Sequence, residues 1–338
     1  MIQRLSTALH AVRHGAPLRE RVLSAPALAQ GSWMRREQAI MGTAVSVELW
    51  AVDRPRGEAA MAAVMGEMQR IDHAMSPHRA DSELACINRD AARLPVPLSE
   101  EMFDLIARAI EFSKLSRNAF DITFASAGAL YDYRAGIAPD EPALRLAVAA
   151  IGWRKLALDP VQRTLRFARP GMRIDLGGFA KGHAVDTSCA LLARHGIRHA
   201  IVSAGGDSRV IGDRRGRPWS VAIRDPRCAD GTVALLPLED VAISTSGDYE
   251  RYFERDGVRH HHLIDPATGR SPSHVRSVTI LAPDGLTAEA LSKTVFVQGV
   301  QAGLRTVESV PGADAVVVDA QGALHFSSGL DQLPRSAA

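Results

Sequence analysis

Residues 173–207 read RIDLGGFAKGHAVDTSCALLARHGIRHAIVSAGGD, and the order of signals within them sets the expected fold. Arg173–Leu176 reads as the end of a strand. Gly177 and Gly178 follow, where a backbone without Cβ can turn and approach a neighbour closely. The spacing predicts a helix over 180–195, stopped by Gly196 as its C-cap. His199–Ala204 is an apolar strand ending in Gly205-Gly206-Asp207. A glycine turn beside a helix N-terminus suits a phosphate, because unpaired N–H groups and the helix dipole both favour an anion. Lys181 falls in the first turn, where the dipole disfavours a cation, so a negatively charged client for it is one reading. The other is an ordinary strand-to-helix connection with a solvated lysine, and spacing alone does not choose between them.

The rest of the chain sets bounds on the answer. Its 338 residues suffice for one large domain or two smaller ones with a real core. A net charge of +2 is too small to argue for nucleic acid or a membrane surface. Aromatics at 5% argue against a stacking platform for single strands. Of 40 basic residues only Lys114, Lys155, Lys181 and Lys293 are lysines, so a lysine here is less readily dismissed as casual surface charge. Cys86, Cys189 and Cys228 have no metal or redox spacing, and Cys189 reads as core. No apolar run reaches transmembrane length. Ala25-Pro26-Ala27-Leu28-Ala29 is reminiscent of a cleavage region, but Arg4, Arg13, Arg19, Glu20 and Arg21 interrupt any apolar segment of signal-peptide length. Residues 1–35 are therefore expected to be a flexible N-terminal extension, with Met34 as an alternative start. The domain is expected over 36–332, in a cytoplasmic protein, with a periplasmic location as the alternative.

Along the chain, 38–50 alternates as a half-buried strand, with Thr43, Val45, Val47 and Leu49 on one side. Helices are expected over 57–75, 99–116 with Ser99 as N-cap, 140–151, 287–298 and 301–309. Hairpins are expected around Pro160–Arg163 and Gln321-Gly322, and further strands over 208–212, 219–224, 233–236, 241–245 and 275–281. His260–Pro266 reads as strand-like, which places His260 and His262 on one side and His261 on the other. Strands and helices mix without strict alternation, so an α+β fold is expected rather than a doubly wound sheet.

Several segments together resemble the ApbE family, the FAD:protein FMN transferases. They are Met41-Gly42-Thr43, Asp81-Ser82-Glu83-Leu84 with Asn88, Ala119-Phe120-Asp121 and Asp175-Leu176-Gly177-Gly178-Phe179-Ala180-Lys181-Gly182. Asp186, Ala204-Gly205-Gly206-Asp207, Ser246-Gly247-Asp248-Tyr249, His262–Gly269 and the helix at 289–299 follow in the family's order. The resemblance implies a single α+β domain with a T-fold-like core that binds FAD. It also implies a reaction: a threonine hydroxyl on a partner flavoprotein attacks the FMN phosphorus of FAD, AMP leaves, and FMN stays attached through a phosphoester. Such phosphoryl transfer rests on positioning and charge neutralisation, for which the family uses Mg²⁺. By the same resemblance Met41, His78, Ala119, Phe120, Asp121, Asp175, Lys181 and Leu263 would line the FAD site. His262 would be the base or orienter for the acceptor hydroxyl.

The sequence departs from the family's pattern at two places. His78 stands where an aromatic residue is usual. At the metal site, the pattern of an aspartate followed four residues later by a threonine, completed by the Gly178 carbonyl, becomes Glu289 and Lys293. A charged ammonium has no lone pair for a metal. Lys293 is then either a catalytically silent i, i+4 partner of Glu289 or a fixed cation standing in for Mg²⁺. With the metal site altered, a flavin-binding or flavin-delivery protein with weak or no transfer is the alternative function.

Overall fold

A computed structural model of the chain describes residues 31–228 and 231–330, and its elements follow the periodicities of the sequence. β1 (Ser32–Ile40) and β2 (Thr43–Ala51) form a hairpin across Met41-Gly42. Both turn residues have positive φ, 55° and 68°, the two-residue turn that matches right-handed strand twist. The strand expected over 38–50 is thus two strands, and Ser32–Arg35 belong to β1 rather than to an extension. Residues 1–30 lie outside the described residues. α1 (Arg54–Met75) and α2 (Glu83–Asp90) follow, then β3 (Val96–Pro97) and α3 (Glu100–Leu115), whose N-cap Ser99 accepts from the Met102 N–H. A small helical region leads through α4 (Ala125–Gly128) and α5 (Glu141–Ala150) to the expected hairpin of β4 (Leu156–Asp159) and β5 (Thr164–Phe167).

The central stretch gives α6 (Ala180–Arg194), β6 (Ala200–Ala204) and β7 (Asp207–Ile211), with Gly205-Gly206 as the turn between the strands. Arg173–Leu176 is not a strand. Its backbone is paired by side chains instead: the Asn88 amide donates to the Ile174 carbonyl at 2.9 Å and accepts from its N–H at 2.8 Å. Side-chain pairing of this kind satisfies an extended segment without a ladder, and hydrophobic pattern does not reveal it.

β8 (Trp219–Arg224), β9 (Thr232–Leu238), β10 (Ala242–Gly247), β11 (Tyr252–Arg255), β12 (Val258–His261) and β13 (Val275–Ala282) come next. The chain closes with α7 (Gly285–Gln298), α8 (Val300–Glu308), β14 (Asp314–Asp319) and β15 (Leu324–Phe326). One eight-stranded sheet runs β1-β2-β6-β7-β10-β13-β14-β15, each neighbouring pair antiparallel. α1, α6, α7 and α8 lie side by side on one face. Alternate strand residues such as Val202, Ala242, Val278 and Val317 join that helix layer in the main core. Their neighbours Ile243, Leu281 and Val316 face the β8–β9 hairpin in a second core. The described residues thus form the α+β domain expected, an antiparallel sheet carrying one helix layer.

α6 and α7 touch backbone to backbone. A Cβ on Gly182 would lie 2.4 Å from the Gly285 carbonyl oxygen, and one on Gly285 2.7 Å from that of Gly182. Gly182→Ala is therefore expected to destabilise the fold by roughly 1–3 kcal/mol through forced separation of the two helices. Gly66→Ala, where an added Cβ meets nothing, should be stabilising by up to about 1 kcal/mol. Urea unfolding of both variants checks the pair.

Candidate active site

The two glycine-contacted helices cap each other. Asp186 of α6 accepts from the Gly285 N–H at 2.8 Å and the Leu286 N–H at 3.1 Å, at the start of α7. Glu289 of α7 accepts from the Gly182 N–H at 2.7 Å, in the first turn of α6. The anion that the glycine turn and the α6 N-terminus call for is thus a carboxylate of the chain itself.

The same carboxylate sits between two ammoniums. Its Oε1 accepts from Lys181 and, at 3.3 Å, from Lys293. Lys181 also meets Asp207 Oδ2 at 2.9 Å and donates to the Gly177 carbonyl at 3.1 Å. Asp207 is held in turn by Ser244, which hydrogen-bonds Ser292, and Ser292 reaches Ser246. Glu289 is fully buried and Asp207 nearly so. Burial works against the Lys181 charge, but Asp207 and Glu289 outweigh it and hold the ammonium above the ordinary lysine range. Burial likewise opposes ionised Asp207, and the Lys181 and Lys293 charges overcome it, so its carboxyl stays below the usual range. Lys181 therefore has its negative client, and that client is intramolecular. Asp207, Ser244, Ser246 and Ser292 were not among the expected site residues. Asp207 stands in the quoted glycine turn, but only the register that sets it opposite Ser244 brings it to Lys181.

The histidines lie close by. β12 ends at His261, so strand alternation does not extend to His262. His260 stacks on Phe253 at 5.0 Å. His261 is buried, donates from Nε2 to the Pro272 carbonyl at 2.8 Å and meets the Phe296 ring edge-on. His262 Nδ1 is buried with no hydrogen-bond partner among the described residues. Burial, then the nearby His261, Lys293, Arg251 and Lys181, push the His262 imidazole down to about 3. Burial, followed by Arg259 and His260, takes His261 down to about 4 against the Pro272 hydrogen bond. Both are neutral at neutral pH, whereas the unfolded chain protonates them near pH 6.5. Below that pH the unfolded chain binds protons that the native state refuses, so stability is lost as pH falls from about 6.5 towards the folded values. Each histidine contributes up to about 1.4 kcal/mol per pH unit. Urea midpoints should fall continuously across this range.

The other expected residues divide. Burial pushes the Asp175 carboxyl up, although its Oδ1 accepts from the Gly177 N–H, and His78, Lys181 and Arg251 bear on it electrostatically. His78 is exposed on its loop, and Met41 is half-buried in the β1–β2 turn. Leu263 and Phe120 are core side chains, so only their backbones are available to a ligand. Ala119 and Asp121 line a cavity of about 650 Å³, together with Asp265, Ala267, Val297 and Gln298. Asp121 also anchors that wall by accepting from the Trp153 and Thr123 N–H groups.

Cavity and charge cluster share two walls. α7 carries Glu289 and Lys293 at one end and Val297 and Gln298 at the other, a span of about 13 Å. Lys293 and Val297 are one turn apart on one face. The segment from His262 to Ala267 runs between the same two places.

Mg²⁺ does not fit the residues present. Both Glu289 oxygens are occupied, one by two ammoniums and the other by a backbone N–H. The Lys293 stem runs beside Gly178, with Cε 3.5 Å from the place of an added Cβ. A divalent cation there would meet the Lys293 charge rather than a donor atom. Among the described residues no group of three or more His, Cys, Asp or Glu is placed to hold a metal.

The ApbE family profile matches residues 41–317. The chain belongs to the ApbE family. It is 34% identical to the FAD:protein FMN transferase of Treponema pallidum over 87% of each chain. With the enzyme of the same name from Vibrio cholerae it shares 33% identity over 72% of this chain and 74% of the relative. Its fold superposes on the ApbE protein of Thermotoga maritima with a TM-score of 0.83 at 33% identity, covering 90% of this chain and all of that one. The flavin transferase ApbE of Vibrio cholerae gives 0.79 at 27% identity, with 89% and 99% covered.

Proposed function

We propose that the protein is an FAD:protein FMN transferase whose acceptor is a threonine hydroxyl of a partner flavoprotein. The observation that carries this reading is that, in an ApbE-family chain, one path along α7 and residues 262–267 leads from a buried charged cluster to a cavity. FAD lies along it, one end in the cavity that Ala119 and Asp121 line and its pyrophosphate beside Lys293. The acceptor oxygen forms a bond to the FMN phosphorus. The bond from that phosphorus to the bridging oxygen breaks, and AMP leaves with the electron pair. His262 is neutral, so the acceptor hydroxyl hands its proton to this imidazole.

Incubation with FAD and a threonine-containing acceptor, followed by mass spectrometry, tests this. An FMN adduct on the threonine peptide with release of AMP is the expected result. AMP and FMN without an adduct would make the protein a hydrolase. Bound FAD with neither product, for two different acceptors, would make it a flavin-binding protein.

A further inference from the structure

Lys181 and Lys293 flank one carboxylate, yet they are not equivalent. An ammonium has three N–H donors. Lys181 uses all of its own, on the Gly177 carbonyl, Glu289 and Asp207. Lys293 has one partner among the described residues, Glu289 Oε1 at 3.3 Å, and its side chain is 18% exposed. Two of its N–H groups are therefore open to a ligand. Its stem leaves α7 beside the Gly178 turn and its ammonium is held by Glu289, so the charge is positioned before any ligand arrives.

The charges balance without a further cation. Glu289 and Asp207 bring two negative charges and Lys181 and Lys293 two positive ones, all in a nearly buried cluster. A divalent ion placed on Glu289 would have to displace an ammonium or stand beside it in a medium of low dielectric. We propose that the Lys293 ammonium, held by Glu289 and donating its two open N–H groups to the phosphates of the bound dinucleotide, occupies the place of a divalent cation, so that transfer runs without one. This rests on the transferase reading for the reaction, although the placement of the cation does not. As the P–O bond to AMP breaks, negative charge grows on the bridging oxygen. The Lys293 ammonium stabilises it there as a fixed charge that needs no reorganisation.

The test uses the full chain and has two arms independent of turnover. Mn²⁺ is titrated into wild type and Lys293→Thr, read by electron paramagnetic resonance. Wild type should leave the Mn²⁺ signal that of the free ion, whereas Lys293→Thr, with the ammonium removed, should gain a bound signal. FAD is titrated into wild type and Lys293→Met, which keeps the stem and loses the charge. Loss of two charge-assisted hydrogen bonds predicts roughly ten- to hundredfold weaker binding. Glu289 keeps Lys181 and Gly182 as partners in both variants, and a circular dichroism melt verifies folding. In the third arm, wild-type transfer should be unchanged by EDTA. Stoichiometric Mn²⁺ binding to wild type, FAD affinity unaltered in Lys293→Met, or transfer abolished by EDTA and restored by Mg²⁺ would each overturn the proposal. Absence of any adduct, with the first two arms as expected, would overturn the transferase reading and leave the cation placement supported.

Discussion

Glu289→Ala is expected to lower folding stability by about 3–5 kcal/mol, the largest loss for any single substitution in the site. The carboxylate is fully buried and carries three partners: Lys181, Lys293 and the Gly182 N–H. Its removal leaves two ammoniums close together with only Asp207 to compensate them. It also uncaps the first turn of α6 beside the Gly182–Gly285 contact. Glu289→Gln separates the two effects. The amide oxygen can still accept from Gly182, but the negative charge is gone, so the loss should be smaller and mainly electrostatic. Adding Lys293→Met to Glu289→Ala removes one of the stranded charges and should restore part of the stability. The restored fraction, measured in a double-mutant cycle by urea unfolding, gives the coupling between the two side chains. If the double variant is no more stable than Glu289→Ala, the ammonium of Lys293 does not depend on this carboxylate.

His262→Ala is expected to slow FMN transfer by a factor of about 10²–10⁴, the range for loss of a positioned general base. FAD affinity should change little, because the cavity walls and Lys293 are untouched. Initial rates of adduct formation under saturating FAD, alongside an FAD titration, distinguish this from a binding defect. The wild-type pH profile adds a second reading. Burial and the surrounding cations hold free His262 down to about 3, so kcat/KM should stay level through pH 6.5, where an ordinary histidine base would lose activity. A decline with an apparent pKa near 6.5 would show that the base is a different group, or that His262 is less enclosed in solution. A His262→Ala variant with near-normal rate would remove the residue from the chemistry.

Part of the candidate site was legible because its residues are local to short segments. The glycine turn, Lys181, Glu289 and Lys293 are named by their sequence positions, and the i, i+4 spacing on α7 places Glu289 beside Lys293 directly. The first-turn position of Lys181 left open a negative client or a solvated lysine, and the structure pairs it with the Glu289 carboxylate. That partner lies more than a hundred residues downstream, so periodicity could not identify it. Asp207 was quoted in the glycine turn, yet its role appears only through the β7–β10 register and Ser244. Phe120 and Leu263 show the opposite limit. Their segments reach the site, but their side chains turn into the core, and sequence pattern around them is too short to say which way they point.

By itself the sequence determined the order and type of most elements, because apolar spacing, N-caps such as Ser99 and Asp140, and turn residues such as Gly196 act within a few positions. It also determined that residue 293 carries an ammonium, which has no lone pair for a metal, since residue chemistry needs no coordinates. Only the tertiary structure decided that Arg173–Leu176 is paired through Asn88 and Ser126 rather than in a sheet. Only it showed that α6 and α7 meet at Gly182 and Gly285 and cap one another through Asp186 and Glu289. The difference between two chemically identical lysines was likewise decided there. Lys181 has every donor satisfied and Lys293 does not, because hydrogen-bond saturation depends on what long-range packing brings within about 3 Å.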